Sequence, residues 1–247
     1  MEEEWGHAAL NAHKWNRRAE TYDERRFSYM RWMQRKALSV LNLNKGVSFL
    51  DLGCGTGYAV RLVAKTLQGD GSFVGVDISP RMVEIAKSNA TSLKSTYFIV
   101  SNAEELPFDD EAFEAILCTN SFHHYPSPSK ALSEVYRILK PSGKICIMDV
   151  TADNMLIRLI DTRVRSKEAE HVKFYSTAEY RTMFERAGLK HVSSVPEKRV
   201  DIFGLLKIRM ESTRIAKAVR FQVVYRTLAI RFGHPKKYMS QENRVRC

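Results

Sequence analysis

The chain has 247 residues, of which 44% are hydrophobic and 10% aromatic, and its formal net charge is +11. This is the composition of an ordinary globular protein, so it excludes collagen-like, disordered and low-complexity chains. No apolar run approaches the roughly 18 residues that a membrane-spanning helix needs, and the acidic start of the sequence predicts no secretory signal.

The four cysteines lie far apart in the sequence and form no Cys-x-x-Cys pair. This spacing predicts free thiols in a reducing compartment rather than a disulfide framework or a zinc site. We therefore expect a cytoplasmic protein that holds no metal.

Apolar residues at helical spacing, including Met30, Met33 and Ala37, predict a helical lid over residues 1–45. After it, short runs rich in β-branched and aromatic residues alternate with amphipathic helices. This alternation predicts an α/β domain over residues 46–210, with a parallel sheet and helices on both faces. The expected strands are residues 47–52, 73–76, 96–100, 112–118 and 144–150, with two closing strands over 191–195 and 202–208.

A glycine-rich loop, D-L-G-C-G-T-G over residues 51–57, follows directly on the first expected strand. Glycines at such a place permit a tight turn and let a ligand approach the backbone closely. Asp77 ends the second expected strand 20 residues after the loop, and a carboxylate there suits the two hydroxyls of a ribose. Dinucleotide-dependent dehydrogenases and S-adenosylmethionine (SAM) enzymes share these features.

The charge of Asp51 helps to distinguish these two classes. The glycines have the spacing G-x-G-x-G instead of G-x-G-x-x-G, and Asp51 stands just before them. A carboxylate would repel a diphosphate, whereas SAM has no phosphate and carries a cationic sulfonium and ammonium group. Coulomb attraction in a half-buried cleft, on the order of a few kcal/mol at ~4 Å, favours the cationic ligand. An NAD-dependent oxidoreductase stays as a less favoured alternative.

With further motifs, the sequence resembles the class I SAM-dependent methyltransferases, in particular the small-molecule branch that includes the ubiquinone and menaquinone C-methyltransferases. The resemblance covers residues 15–195 and implies a Rossmann-like α/β fold with seven strands in the order 3-2-1-4-5-7-6. It also implies SAM as cofactor and a small organic methyl acceptor. The matching motifs are the loop at 51–57, Asp77, S-N-A-E-E-L-P-F at 101–108, N-S-F-H-H at 120–124 and L-K-P-S-G at 139–143.

The resemblance assigns contacts with SAM residue by residue. Asp51 and the loop backbone hold the methionine end, and Asp77 holds the ribose. Asn102 stands where the family has an aspartate, which keeps an acceptor oxygen but removes the charge, and Ser142 stands for a glycine. The full expected set is Tyr22, Asp51, Gly53, Cys54, Gly55, Gly57, Asp77, Ile78, Met82, Asn102, Ala103 and Asn120.

The candidate catalytic residues are His123 and His124, which follow the fourth strand where the family brings methyl donor and acceptor together. Methyl transfer from a sulfonium needs the acceptor held about 3 Å from the methyl group and water excluded. A general base is needed only where the acceptor must lose a proton. The alternative is that one histidine packs while the other contacts SAM. Tyr125, His171 and Tyr175 are candidates for the acceptor pocket.

Basic residues concentrate in the last part of the chain. Residues 207–247 carry eleven Lys or Arg against two Glu, which leaves a net charge of only +2 for the other 206 residues. We therefore expect a basic extension over 211–247. A helix over 214–231 would suit an anionic membrane surface or a nucleic-acid backbone, and a solvated extension is the third interpretation. A SAM-binding or RNA-associated module without turnover is the corresponding alternative function.

Overall fold

The computed structural model describes residues 2–168, 171–196 and 225–230, in which helices and strands alternate. The helices are α1 (Glu2–Arg18), α2 (Tyr22–Leu41), α3 (Tyr58–Thr66), α4 (Pro80–Asn89), α5 (Pro128–Ile138), α6 (Met155–Arg165) and α7 (Thr177–Arg186). The strands are β1 (Val47–Leu52), β2 (Gly71–Asp77), β3 (Thr96–Val100), β4 (Phe113–Thr119), β5 (Leu139–Asp149), β6 (Lys190–Pro196) and β7 (Tyr225–Ile230). Within these ranges, none of the helices combines the length and apolarity needed to cross a bilayer.

Five strands form a parallel sheet in the order β3-β2-β1-β4-β5, which confirms the α/β class predicted from the alternating pattern. The strand order reverses between β1 and β4, because β2 and β3 lie on one side of β1 and β4 and β5 on the other. In open parallel sheets, ligands bind at such a reversal, outside the carboxyl ends of the strands. The topology therefore places a ligand site where the glycine loop leaves β1.

The core consists of two apolar clusters, one on each face of the sheet. Neighbouring residues of a strand point to opposite faces, so Phe49 packs in the cluster with α2 and α3, while Leu50 packs in the cluster with α5 and α7. The helical spacing in the first 45 residues is explained by this arrangement, since Met33 and Ala37 are fully buried against the sheet.

β5 begins at Leu139, ahead of the expected start at residue 144. Its register with β4 jumps from Phe113↔Leu139 to Ala115↔Lys144, so residues 140–143 form a bulge. Ser142 in this bulge has a φ of 65°, in the left-handed region that favours glycine. The early start was not predicted because proline and glycine usually mark the end of a strand, whereas here a bulge accommodates them.

Two antiparallel strands continue the sheet beyond β5: β7 pairs with β5, and β6 pairs with β7. β6 matches the strand expected over 191–195, and the closing strand expected over 202–208 lies outside the described residues. β7 lies within the segment 211–247, and its six residues are extended, not helical. Its pairing satisfies the backbone groups at the outer edge of β5, which is a tertiary effect that local spacing does not show.

Candidate active site

The loop after β1 is fixed by backbone hydrogen bonds to the neighbouring strand. The N–H groups of Gly53 and Cys54 both donate to the carbonyl of Val76, at 2.8 and 2.9 Å. Gly53 has a φ of 78°, and a Cβ there would lie 2.1 Å from Oγ of Ser121. Both the backbone conformation and the close neighbour therefore require glycine at this position.

Asp77, the last residue of β2, is held in place beside this loop. Its Oδ2 accepts a hydrogen bond from the N–H of Gly55 at 2.8 Å, and its Oδ1 accepts one from the N–H of Ser79 at 2.9 Å. Burial raises the pKa of Asp77, and these backbone donors act in the opposite direction. The result is an oriented carboxyl group that lines a cleft at the carboxyl edge of the sheet.

Asp51 lies at the end of β1, fully buried beneath the same loop. Neither of its carboxylate oxygens has a hydrogen-bond partner among the described residues. Burial raises the pKa of Asp51 to about 8, and the negative charge of Asp77 adds to the shift. A buried carboxyl group without a donor is costly in its charged form, so this position favours a cationic group nearby.

The cleft encloses about 70 Å³ of space that the centre of a water-sized sphere can reach. Residues at the carboxyl ends of β1, β2, β3 and β4 line it together with residues of α1 and α2. Of the twelve residues expected to contact the cofactor, nine line this cleft: Tyr22, Gly53, Gly55, Asp77, Ile78, Met82, Asn102, Ala103 and Asn120.

Asp51, Cys54 and Gly57 are the three expected residues that do not line the cleft. Cys54 is buried, and burial raises the pKa of its thiol. Gly57 caps α3 with a φ of 79°, and a Cβ there would lie 2.6 Å from the ring of Phe98. These three residues belong to the loop and its flanks without lining the cleft. Any part of Asp51, Cys54 or Gly57 in ligand binding stays a prediction.

The side chain of Asn102 is already engaged in its own turn. Its Oδ1 accepts a hydrogen bond from the N–H of Glu104 at 3.1 Å, which is the pattern of an Asx turn. Asn102 also pairs with Glu105 in a short bridge. The amide therefore shapes the backbone that leads to Ala103, and it retains one acceptor lone pair for a ligand.

Two ends of the cleft have different linings. One, which we term the loop end, consists of Gly53, Gly55, Asp77, Ile78 and Asn102. The other, which we term the histidine end, consists of Asn11, Trp15, His124 and Tyr125. The loop end presents backbone groups and a carboxyl group, whereas the histidine end presents aromatic rings and an imidazole.

Helix α1 covers the cleft and reaches both of its ends. At the loop end, Oδ1 of Asn16 accepts hydrogen bonds from Oγ of Ser79 at 2.6 Å and from the N–H of Arg81 at 3.1 Å. At the histidine end, Nδ2 of Asn11 donates to the carbonyl of His124 at 3.0 Å. These contacts agree with a lid role for the first helices.

Several residues that line the cleft were missed in the sequence. Ala8, Asn11 and Trp15 lie on one face of α1, but their mixed polarity produces no apolar stripe that would indicate a buried face. Thr119 lines the cleft from the end of β4, and its Oγ1 is buried without a hydrogen-bond partner among the described residues. The place of Thr119 at the carboxyl end of β4 is the feature of the sequence that could have indicated a position in the cleft.

His123 and His124 form a short turn directly after β4, and they differ in exposure. His123 is buried, and its Nδ1 lies 2.7 and 2.9 Å from the two carboxylate oxygens of Asp149, the last residue of β5. His124 lines the cleft, and its ring lies edge-on to Trp15 at 5.3 Å between centroids. The two histidines therefore differ in position: His124 faces the cleft, whereas His123 is buried and contacts the carboxylate of Asp149.

His171 joins this pair from a distant part of the sequence. Its Nε2 lies 2.6 Å from Oδ1 of Asp161, and burial lowers the pKa of His171. The ring centroids of His123 and His171 are 5.4 Å apart. His171 thus lies beside the two expected catalytic histidines but does not itself line the cleft, and its assignment to the acceptor pocket stays a prediction.

The two tyrosines expected near the acceptor have different positions. Tyr125 lines the cleft, and its hydroxyl lies 3.1 Å from Oγ of Ser121. Tyr175 is outside the cleft lining, and it packs against Phe122 and Tyr180 in the core. Burial raises the pKa of Tyr175 to about 12. Tyr125 therefore can contact a ligand in the cleft, whereas Tyr175 has a packing role.

Comparisons with known proteins agree with this geometry. Residues 43–188 match a protein family described as a methyltransferase domain. An uncharacterized methyltransferase of Bacillus subtilis, YcgJ, is 33% identical over 139 residues, which are 55% of this chain and 54% of that protein. A demethylmenaquinone methyltransferase of Staphylococcus epidermidis is 29% identical over 118 residues, 48% of this chain and 49% of that protein. The matches thus span about half the length of these curated relatives.

A solved structure shows the same fold over most of the chain. The crystal structure of a SAM-dependent methyltransferase from Aquifex aeolicus superposes with a TM-score of 0.62 at 20% sequence identity. The superposition covers 87% of this chain and 97% of that one. At this level of identity the likeness concerns the fold.

Proposed function

This chain belongs to the methyltransferase domain family, and on that premise we propose that it transfers a methyl group from SAM to a small organic acceptor. The observation that carries the proposal is the pair of buried carboxyl groups at the glycine loop. Asp77 lines the cleft in a fixed orientation, and Asp51 lies beneath the loop with both oxygens unpartnered among the described residues. Carboxylates at this place favour a cationic ligand and disfavour a diphosphate.

The residues at the loop end fit SAM in chemistry as well as in charge. Asp77 would hold the ribose hydroxyls, and Ile78 and Met82 would lie against the adenine. The loop backbone at Gly53 and Gly55, with Asp51 below it, would hold the methionine end. When bound, SAM supplies an electrophilic methyl group on a sulfonium. The other expected contacts in the proposal are Tyr22, Cys54, Gly57, Asn102, Ala103 and Asn120.

Tyr22 would close the site over the loop. Its ring lies within 3.4 Å of the position that a Cβ of Gly55 would occupy, and it meets Trp15 edge-on at 6.0 Å between centroids. An aromatic side chain over the loop excludes water from a bound ligand, which methyl transfer needs. The helical lid over residues 1–45 is therefore part of the proposed site.

His123 and His124 are the proposed catalytic residues at the histidine end. The carboxylate of Asp149 accepts the proton on Nδ1 of His123 in a hydrogen bond, and this tautomer leaves Nε2 as the proton acceptor. His124 faces the cleft, so it would contact the acceptor directly. An acceptor oxygen, nitrogen or activated carbon that loses a proton during methylation would lose it to this pair.

The lining of the histidine end favours a flat organic acceptor. Trp15, His124 and Tyr125 present ring faces or edges toward the cleft, and aromatic ligands pack well against such rings. One relative is named a demethylmenaquinone methyltransferase. We therefore place quinone-like, lipid-soluble acceptors first, ahead of other acceptors of C-, O- or N-methylation.

The proposal includes the finer architecture and location. We infer the complete strand order β3-β2-β1-β4-β5-β7-β6, which extends the domain predicted over residues 46–210 to include β7. The basic residues of the segment 211–247 that lie outside β7 would contact an anionic membrane surface or a nucleic acid. The described cysteines, Cys54, Cys118 and Cys146, are buried thiols, which supports the cytoplasm as the compartment.

Calorimetric titration of the full chain with SAM, its demethylated product S-adenosylhomocysteine, and NAD(H) tests the proposal. We expect micromolar binding of both adenosyl ligands and no binding of NAD(H), because no Lys or Arg lines the described cleft to hold its diphosphate. Binding of NAD(H) alone would favour the oxidoreductase. SAM binding without turnover of any acceptor in a screen that begins with quinone-like compounds would favour the binding module.

A further inference from the structure

We propose that His123, His124 and His171 form a binding site for a divalent transition-metal ion such as Zn²⁺. One ring nitrogen from each of the three lies within 4.8 Å of the others. Imidazole is a favoured ligand of such ions. Zinc–nitrogen bonds of about 2.0–2.1 Å place tetrahedral ligands roughly 3.3 Å apart, so the nitrogens would have to approach one another by roughly 1.5 Å at most when an ion binds. The cysteine spacing in the sequence had indicated no metal.

His123 and His171 each have the carboxylate partner that metal-bound histidines usually have. Asp149 accepts from Nδ1 of His123 at 2.7 Å, and Asp161 accepts from Nε2 of His171 at 2.6 Å. A carboxylate on one ring nitrogen fixes the tautomer and directs the lone pair of the other nitrogen to the metal. The available lone pairs are then on Nε2 of His123 and Nδ1 of His171.

The carboxylates are themselves held by backbone donors. Oδ2 of Asp149 accepts from the N–H of His123 at 3.1 Å, and its Oδ1 accepts from the N–H of Val150 at 2.8 Å. Oδ1 of Asp161 also accepts from the N–H of Phe174 at 2.8 Å. The carboxylates that orient both imidazoles are therefore themselves fixed, and the rings would need only to adjust within this support when an ion binds.

The segments that carry the histidines are joined by main-chain contacts that do not involve the rings. The carbonyl of His123 accepts from the N–H groups of Val172 and Lys173 at 3.1 and 3.3 Å. His123 and His171 are 6% and 5% exposed, while His124 lines the cleft. An ion held by the three rings would thus be sheltered by protein on one side, and a ligand from the cleft would complete its coordination.

The role of such an ion rests on the proposed function, although the binding of the ion does not. A metal with three histidine ligands and an exchangeable fourth position lowers the pKa of a coordinated water or hydroxyl. An acceptor hydroxyl bound there would release its proton to solvent water in the cleft at neutral pH. The three imidazoles would then serve the acceptor as metal ligands, in place of removing the proton themselves.

The test uses the full chain after treatment with a chelator, titrated with Zn²⁺ by calorimetry in the absence of SAM. We expect one equivalent of zinc to bind. His171→Ala should weaken the zinc Kd at least about tenfold, since one of three ligands is lost, and Asp161→Asn about 10- to 100-fold, as for other outer partners of metal ligands. His13→Ala is the matched control, because His13 is exposed on α1, and it should leave the Kd unchanged.

Cobalt substitution provides a readout that does not depend on how the variants fold. Co²⁺ added to the unmodified chain should produce visible absorption bands of a four-coordinate site without the intense near-ultraviolet band of a thiolate ligand. No zinc binding by the unmodified chain, a thiolate band, or equal zinc affinity of His171→Ala and His13→Ala would each overturn the site. Because SAM is absent from these titrations, such a failure would leave the proposed function to its own test.

Discussion

The loop end and the histidine end of the cleft differ in how far apart in the sequence the residues lie that hold each end in place. At the loop end, the stretches after β1 and β2 are fixed largely by backbone donors, such as the N–H of Gly55 to the carboxylate of Asp77, 22 positions apart, and Asn16 adds a contact with Ser79 across 63 positions. At the histidine end, Asn11 and His124 meet across 113 positions. The loop end therefore depends mainly on the backbone of neighbouring strand ends, whereas the histidine end depends more on helices that pack from distant parts of the sequence.

This difference predicts that substitutions at the two ends have different consequences. Changes at the loop end should alter folding and affinity for SAM together, because the same backbone both closes the turn and faces the ligand. Changes at the histidine end should alter turnover while the affinity for SAM is retained. The predictions below are ordered from the largest expected effect to the smallest.

Gly53→Ala should lower the free energy of unfolding most, by about 3 kcal/mol, because overpacking and a left-handed backbone conformation both oppose a side chain there. Gly46→Ala is the matched control: Gly46 has a φ of 80°, but a Cβ would meet nothing within 4 Å. It should cost only about 1 kcal/mol, the conformational part alone. Urea unfolding measures both, and equal losses would show that the contact with Ser121 has no effect.

Asp77→Ala should weaken SAM binding by about 1–3 kcal/mol, the value of charge-assisted hydrogen bonds to a ligand. Asp70→Ala, at an exposed position after α3, should leave the affinity unchanged. Calorimetric titration of both variants makes the comparison. Unchanged affinity of Asp77→Ala would remove this carboxyl group from the site.

His124→Ala should lower the turnover number about tenfold, equivalent to about 1.4 kcal/mol in the barrier, with SAM affinity nearly unchanged. His13→Ala serves as the control for the loss of an imidazole from a neighbouring, exposed position. Steady-state kinetics and SAM titration on the same preparations separate the two effects. A loss of SAM affinity without a loss of turnover would assign His124 to the loop end.

Asp51 should make the free energy of unfolding depend on pH. Its pKa is raised from 3.8 to about 8 in the folded protein, so the folded state binds more protons than the unfolded state between these values. The stabilisation is complete below pH 3.8 and is lost as the pH rises through 8. The raised pKa of Asp77 acts in the same direction.

Asp51→Asn should therefore flatten this dependence and stabilise the ligand-free protein most at the upper end of the range, near pH 8. Urea unfolding from pH 5 to pH 8 measures the slope, with Asp70→Asn as the control that keeps it. A slope that Asp51→Asn leaves intact would place the responsible group elsewhere.

Ser142→Gly should give the smallest effect and raise the free energy of unfolding by about 0.5 kcal/mol, because a left-handed conformation costs glycine little. Ser88→Gly, on the exposed side of α4, should change stability in the opposite direction, by about 0.5–1 kcal/mol. Thermal unfolding of the two variants gives the sign directly. Destabilisation in both would show that the Ser142 side chain has a role in the bulge.

The loop end could be predicted from sequence because its signals are local. A strand, three glycines and a helix in direct succession specify the turn, and Asp77 is recognised by its distance from that turn. The five parallel strands follow from the same alternation. The start of β5 was missed because a bulge containing Pro141 and Gly143 resembles a strand end.

The histidine end was only partly predictable. His123, His124 and His171 were singled out by type and position, but the carboxylates that orient them were not. Asp149 ends a strand as Asp77 does, so that signal was present in the sequence. Asp161 lies within α6, and its burial beside His171 depends on packing that no local pattern encodes.

The contacts of α1 affect the timing of ligand exchange. Asn16 bonds to the start of α4, Asn11 bonds to the turn after β4, and Lys14 forms an ion pair with Glu168 at 2.7 Å. Because one helix makes all three contacts, lifting of α1 would uncover the loop end and the histidine end of the cleft together. The residence times of donor product and methylated product are thus linked to one event, the lifting of α1, which makes this event a candidate for the slowest step of a catalytic cycle.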